Sequence, residues 1–282
     1  MKEARGSRFE VRGSRCEVRR FRVCPRSSLL APITLFVLWT LLAASLAACG
    51  KKGALVPPEA LAPAPVSDLR VAQKGDYFQI SWSRPAREEG GGPLRDLAGF
   101  RIFKREMLPH GEDCESCSDA YRLLKDVDLD YLREVRSIGG LFLLDDGDVR
   151  KGKSYRYKAV ALKRDGTPSR ESTPVLRRMV EPPWPPVLQA ASNPTSIVLE
   201  FVAVPSPAGV IQGYNIYRRR TGEALPVLPV NDKPVTGNTF EDLHPARGAV
   251  YIYTVRTVAV VDGESVESAP SNEATGALTN PD

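Results

Sequence analysis

The chain has 282 residues, 42% of them hydrophobic and 26% charged, which gives enough apolar content for folded cores and enough length for two domains of ordinary size. Its 24 prolines argue against a mainly helical protein. The formal charge of +5 suggests an anionic partner only until it is divided at Cys49: residues 1–48 hold nine Lys/Arg against three Asp/Glu, and residues 49–282 hold thirty against thirty-one. The body is therefore near −1, which makes a nucleic-acid binder a poor first reading.

Residues 1–48 read as a leader with an export signal. No charge falls between Ser27 and Gly50, and Leu29 to Ala48 is almost wholly apolar after an Arg-rich flank that ends at Arg26. That length also suits a membrane-spanning helix. Leu46-Ala47-Ala48-Cys49 resembles the bacterial lipobox, and the resemblance implies lipidation of Cys49 followed by cleavage that leaves it as the first mature residue. Firm attachment needs more than one acyl chain. Gly50 follows, not the Asp associated with inner-membrane retention, so the expected location is the outer membrane, with the periplasmic or surface side open. Further upstream, Arg5-Gly-Ser-Arg8-Phe-Glu-Val11 is nearly repeated by Arg12-Gly-Ser-Arg15-Cys-Glu-Val18. Only Phe9 and Cys16 share a bulky apolar spacing, too few for a coiled-coil seam. An overextended start or a removable leader accounts for the segment.

The stretch Cys49-Gly50-Lys51-Lys52-Gly53-Ala54-Leu55-Val56-Pro57-Pro58 resembles the head of small outer-membrane lipoproteins with a Cys-Gly-x-Lys-Gly-Pro-Leu start, except that Ala54 replaces the usual Pro. The alternative is a plain tether, residues 49–65, whose lysines approach headgroups and whose Pro/Ala-rich end is a semi-extended spacer.

From Val66 onward the pattern is β. An opening strand at Val66 to Val71 is followed by the interrupted alternation of Tyr77, Ile80 and Trp82, then by the cleaner Phe100-Arg-Ile-Phe103-Lys104. Tyr155-Arg-Tyr157-Lys-Ala159-Val-Ala161 alternates between turns at Lys151-Gly152-Lys153 and Arg164-Asp165-Gly166, and Ser169, Ser172 and Val175 close the set. The series resembles a fibronectin type III domain. That resemblance implies that Trp82 fills the space between two sheets and that the late tyrosine anchors a strand crossing.

A second copy follows. Ser196-Ile-Val-Leu-Glu-Phe201 aligns with the tryptophan strand, with Phe201 in place of Trp82, so neighbours must fill the difference. Gly213-Tyr-Asn-Ile-Tyr217, Ala249-Val-Tyr251-Ile-Tyr253-Thr-Val255 and Ser268-Ala-Pro-Ser271 match the later strands. The fold expected is all-β, two tandem immunoglobulin-like (fibronectin type III) sandwiches over residues 66–180 and 187–277, with a proline-rich linker 181–186 and a tail 278–282. Matched aromatics read as core. Trp184, flanked by four prolines, seats the interdomain joint or is an exposed partner contact.

The segment from Lys104 to Lys151 looks longer than the fold needs and reads as an insertion. It contains a short helix or strand between Tyr121 and Val135, and the acidic run Asp145-Asp146-Gly147-Asp148, read as a solvated hairpin since a complete calcium loop is lacking. Cys114 and Cys117 are the thiols left after lipidation of Cys49, and export favours a local disulfide between them. Redox chemistry with this pair would need a suitably placed helix N-terminus. A metal would have to recruit His110 with Asp113 or Asp119 beside a single cysteine pair.

No catalytic, phosphate-binding or dinucleotide motif is present, and neither a resident cofactor nor a metal is expected. Arg218-Arg219-Arg220 reads as a solvated strand end. The function expected is a lipid-anchored envelope interaction or structural module that binds a protein or polysaccharide, with the insertion and the Trp184 joint as contact surfaces. An outer-membrane assembly factor acting through its lipidated head is the alternative, and an envelope enzyme is a third, weaker reading.

Overall fold

The computed structural model describes residues 57–108, 120–205, 209–224 and 226–280, all within one compact unit, Val56–Asp282. After a 3₁₀ turn at Pro58–Leu61, the first half forms β1 (Arg70–Lys74), β2 (Tyr77–Ser83), β3 (Leu97–Glu106), β4 (Arg122–Asp128), β5 (Val135–Ile138), β6 (Leu141–Asp146), β7 (Ser154–Lys163) and β8 (Val175–Arg178). The second forms β9 (Val187–Ser192), β10 (Ile197–Val202), β11 (Val210–Arg220), β12 (Thr239–Asp242), β13 (Tyr251–Val261), β14 (Glu264–Glu267) and β15 (Ala274–Gly276).

In the first half, β1-β2-β6-β5 faces β4-β3-β7-β8; in the second, β9-β10-β12 faces β11-β13, with β14 and β15 both on β13. These are two tandem fibronectin type III-like sandwiches. The period of two selects the core face: Phe78, Ile80 and Trp82 of β2, Phe100 and Ile102 of β3, and Tyr155, Tyr157, Ala159 and Ala161 of β7 all point inward. Trp82 stacks on Phe142, its register partner, and meets Phe100 edge-on at 5.7 Å between ring centres. In the second core Phe201 packs closer, 4.7 Å from Tyr214. The volume lost at the Trp82 position is thus taken up by the adjoining aromatic.

The glycine before each third-strand aromatic has a steric reason. A Cβ on Gly99 would lie 2.0 Å from the Val127 carbonyl oxygen, and one on Gly213 would lie 2.6 Å from that of Val235. The register slips at both places. A neighbouring strand or loop crosses where only a bare backbone fits.

Part of the span read as an insertion is regular strand. The span between Lys104 and Lys151 carries β4, β5 and β6. β6 pairs with β2 and buries Phe142, Leu143 and Leu144, so this strand is part of the framework. Cys114 and Cys117, with the disulfide expected of them, lie outside the described residues, as does Cys49.

The acidic run is corrected. Asp145 and Asp146 end β6, and Asp146 is 3% exposed. Its Oδ2 lies 2.7 Å from the Lys104 Nζ and accepts a 2.7 Å hydrogen bond from the Tyr157 hydroxyl, while Oδ1 accepts from the Asp148 amide. The second sandwich repeats this. Asp242 pairs with Arg218 at 2.7 Å, accepts from the Tyr253 hydroxyl at 2.9 Å and from the His244 amide at 3.0 Å. One turn of the pleat away, Tyr155 accepts from the Arg150 amide and Tyr251 from the Ala246 amide, each five residues upstream. Arg219 pairs with Glu273, and Arg220 lies over the Tyr251 ring. The arginine tract is therefore tied down and not a freely solvated end.

Asp146→Ala would leave the fully buried Lys104 ammonium with only the exposed Asp148 carboxylate, 3.8 Å away, and cost about 3 kcal/mol or more, read by denaturant unfolding. Burial first, and then the charge and hydrogen bond of Asp242, push the Tyr253 hydroxyl well above the ordinary tyrosine value. Unfolded tyrosine ionises near pH 10, so above that pH the folded state holds the extra proton and stability falls by up to about 1.4 kcal/mol per pH unit for this group. Tyr253→Phe should lose stability near neutrality yet show a shallower decline between pH 10 and 11.

Candidate functional site: the joint between the sandwiches

The two sandwiches share a sheet. β1 of the first pairs in parallel with β14 of the second, Gln73 opposite Val266 and Lys74 opposite Glu267, so that β11-β13-β14-β1-β2-β6-β5 runs unbroken. Beyond the pair, the Gly75 amide donates to the Glu267 carbonyl at 2.8 Å. Gly75, at φ +62°, turns the chain tightly against the backbone of Ala269.

Side chains lock this register. The buried Gln73 amide donates to the Val180 carbonyl at 2.8 Å and accepts from the Val180 amide at 3.1 Å, which pins the start of the linker to β1. Lys74 donates to the Tyr217 hydroxyl at 2.7 Å and lies 3.2 Å from Glu267. Glu267 in turn accepts from Tyr217 and from the Asn215 amide, each at 2.8 Å. Arg256 reaches across to the Tyr77 hydroxyl at 3.4 Å. On the β8 side, Arg177 pairs with Glu264 and donates to the Ser265 carbonyl, and Arg178 faces Asp262.

Electrostatics follow burial. Lys74 is held below its ordinary value chiefly by loss of water, with Glu267 pulling the other way. The Tyr217 hydroxyl is pushed well up, by burial first and then by the Glu267 charge. A lysine whose partners include a carboxylate that also takes two further hydrogen bonds is a satisfied network, which fixes geometry more than it adds stability.

Trp184 is 48% exposed, and its carbonyl accepts from the Thr257 hydroxyl at 2.8 Å. The residues that seat the joint, Gln73, Lys74, Tyr217 and Glu267, were not found from sequence. Gln73-Lys74-Gly75-Asp76 reads as an ordinary polar turn, and nothing in one strand's pattern names a partner edge in another domain.

Elsewhere, a cleft of about 560 Å³ is lined by residues already paired with one another, Arg101 with Asp126 and Arg164 with Asp130. Among the described residues no three His, Cys, Asp or Glu side chains gather to hold a metal ion. No helix among them is long and apolar enough to cross a membrane.

If the side-chain network couples the two halves, calorimetry should show one unfolding transition for the parent chain. Gln73→Ala combined with Glu267→Ala should split it into two, the higher close to the parent midpoint.

No family model matches the chain, and no curated protein matches it. Among solved structures, the chicken CNTN1 FN1–FN3 domains align with a TM-score of 0.32 at 16% identity, over 76% of this chain and 67% of that one. The strand order, and not this superposition, assigns the architecture.

Proposed function

We propose that this chain is a lipid-anchored interaction module of the cell envelope, held to the outer membrane through acylated Cys49 and binding an envelope protein or polysaccharide. The anchor rests on Leu46-Ala47-Ala48-Cys49 after an uncharged apolar stretch. The module rests on one observation, the sheet that passes unbroken from the first sandwich to the second. Tandem domains move freely unless their contact is extensive. Here sheet hydrogen bonds and a buried polar network fix the angle, so loops of the second sandwich are presented at a set distance and direction from the first.

The Cys-Gly-Lys-Lys-Gly head favours a second reading, an assembly factor whose first residues touch an outer-membrane machine. Exchanging residues 50–58 for an unrelated tether separates the two: a partner held by the sandwiches is still captured, and a partner held by the head is lost.

Anchoring is tested by fractionating cells that carry the parent chain or Cys49→Ser and treating intact and lysed cells with protease. The parent should sediment with membranes and Cys49→Ser should not. Digestion in intact cells would direct the search for partners outward, and protection until lysis would direct it to the periplasm. Equal membrane association of both proteins would refute the lipid anchor.

A further inference from the structure

At the end of the first sandwich where the chain enters, three arginines lack carboxylate partners, while several of the neighbouring acids are already paired with other cations. The incoming residues are bonded to the loop between β2 and β3: the Glu89 amide donates to the Ala62 carbonyl, the Gly90 amide to the Ala60 carbonyl, and the Ala64 amide to the Arg87 carbonyl. In that loop Glu88 and Asp96 share Lys163, at 3.0 and 3.2 Å, and Glu89 is taken by Arg170. Arg84, Arg87 and Arg95 are exposed and have no carboxylate partner among the described residues. Glu59, on the entering turn, and Asp68 and Asp128, which accept from the Ser83 and Asp130 amides, are acids there without an ion pair among the described residues.

Exposed apolar groups stand beside these arginines. Leu61 and Ile138 are solvent-facing, the first in the entering turn and the second beside the Gly139-Gly140 turn, to which the Arg84 amide is bonded. Tyr131 is also exposed, next to Asp130, which Arg164 holds through two hydrogen bonds while the Arg164 amide donates to the Asp96 carbonyl. Arginine, tyrosine and branched aliphatic side chains at one end make the mixture that suits the boundary between phosphate headgroups and acyl chains.

We infer that this end is a membrane-facing surface, in which Arg84, Arg87 and Arg95 engage the phosphates of anionic phospholipid while Leu61, Tyr131 and Ile138 meet the interfacial layer. The inference rests on the lipid anchor proposed above. Eight residues of chain from Cys49 to Pro57 reach at most about 29 Å, so an acylated chain cannot carry this end far from the bilayer. Seating it there fixes the stance of the first sandwich, with the shared sheet setting the direction of the second.

Both cores lie within residues 66–278, so the chain from residue 49 onward, carrying Cys49→Ser, is the unacylated form to test. It should float with phosphatidylcholine vesicles that contain phosphatidylglycerol and not with phosphatidylcholine alone, and added salt should release it. The triple variant Arg84→Glu, Arg87→Glu, Arg95→Glu, which retains Lys51 and Lys52, should bind roughly tenfold more weakly or worse at an unchanged melting temperature. Substituting lysine at the same three positions should preserve binding and guards against a folding defect. Equal flotation with both vesicle types, undiminished binding of the triple variant, or equally tight binding of soluble polyphosphate would each overturn the inference. Palmitate labelling at Cys49 decides the anchor separately. A labelled chain whose unacylated form ignores anionic vesicles sinks this inference alone, and an unlabelled chain that still binds them through the three arginines sinks the anchor alone.

Discussion

The parallel pairing of β1 with β14 is the constraint on which the arrangement of this molecule depends. Each sandwich has its own aromatic core, and each could be built without the other's strands. A two-residue parallel contact is too short to be stable by itself. It persists because the groups around it are held at the same time: Gln73 satisfies both backbone groups of Val180, and Glu267 accepts from Lys74, Tyr217 and Asn215 together. Taking away any one partner exposes the others to an unpaid desolvation, so the network has one low-energy register. The joint is consequently a continuation of secondary structure, not a pair of surfaces in contact.

The same logic operates inside each sandwich. A carboxylate at the end of β6 or β12 receives a tyrosine hydroxyl and a cation from the opposite sheet, Asp146 with Tyr157 and Lys104, Asp242 with Tyr253 and Arg218. Serine hydroxyls perform a second repeated task. Ser169 and Ser172 accept from the Ala161 and Ala159 amides, and Ser268 and Ser271 accept from the Thr257 and Val255 amides, where the closing chain is too irregular to supply all its carbonyls. Buried amides at a strand's fraying edge must find acceptors, and a serine every third residue provides them.

Much of this was legible in the chain itself. The alternation of Tyr155, Tyr157, Ala159 and Ala161, its recurrence at Tyr251 and Tyr253, and the Gly-aromatic-x-Ile-aromatic strand in both halves are short-range patterns fixed by the pleat, and they located the two sandwiches. The serines were visible as matched closing segments, though not their bonds. Asp146 was misread because two aspartates, a glycine and a third aspartate look like a solvated turn; the Lys104 and Tyr157 side chains that make burial tolerable come from strands 42 residues before and 11 after it. Within the span from Lys104 to Lys151 the framework role of β6 had no local mark, because it lies behind a long connection and its pairing with β2 joins residues 58 to 68 positions apart.

The sequence by itself determined the class of fold, the duplication and the inward faces of the strands, because side-chain period and turn residues act within a few positions of one another. It also carries the lipobox-like Cys49 context, which is a linear signal. Tertiary structure alone decided that Gln73, Lys74, Tyr217 and Glu267 meet, that two sheets become one, and that Arg84, Arg87 and Arg95 remain without carboxylates while Glu88, Glu89 and Asp96 are paired with other cations. Partnering between charges and between strand edges depends on distances that folding creates, and residues far apart in the chain carry no local mark of the neighbour they will acquire.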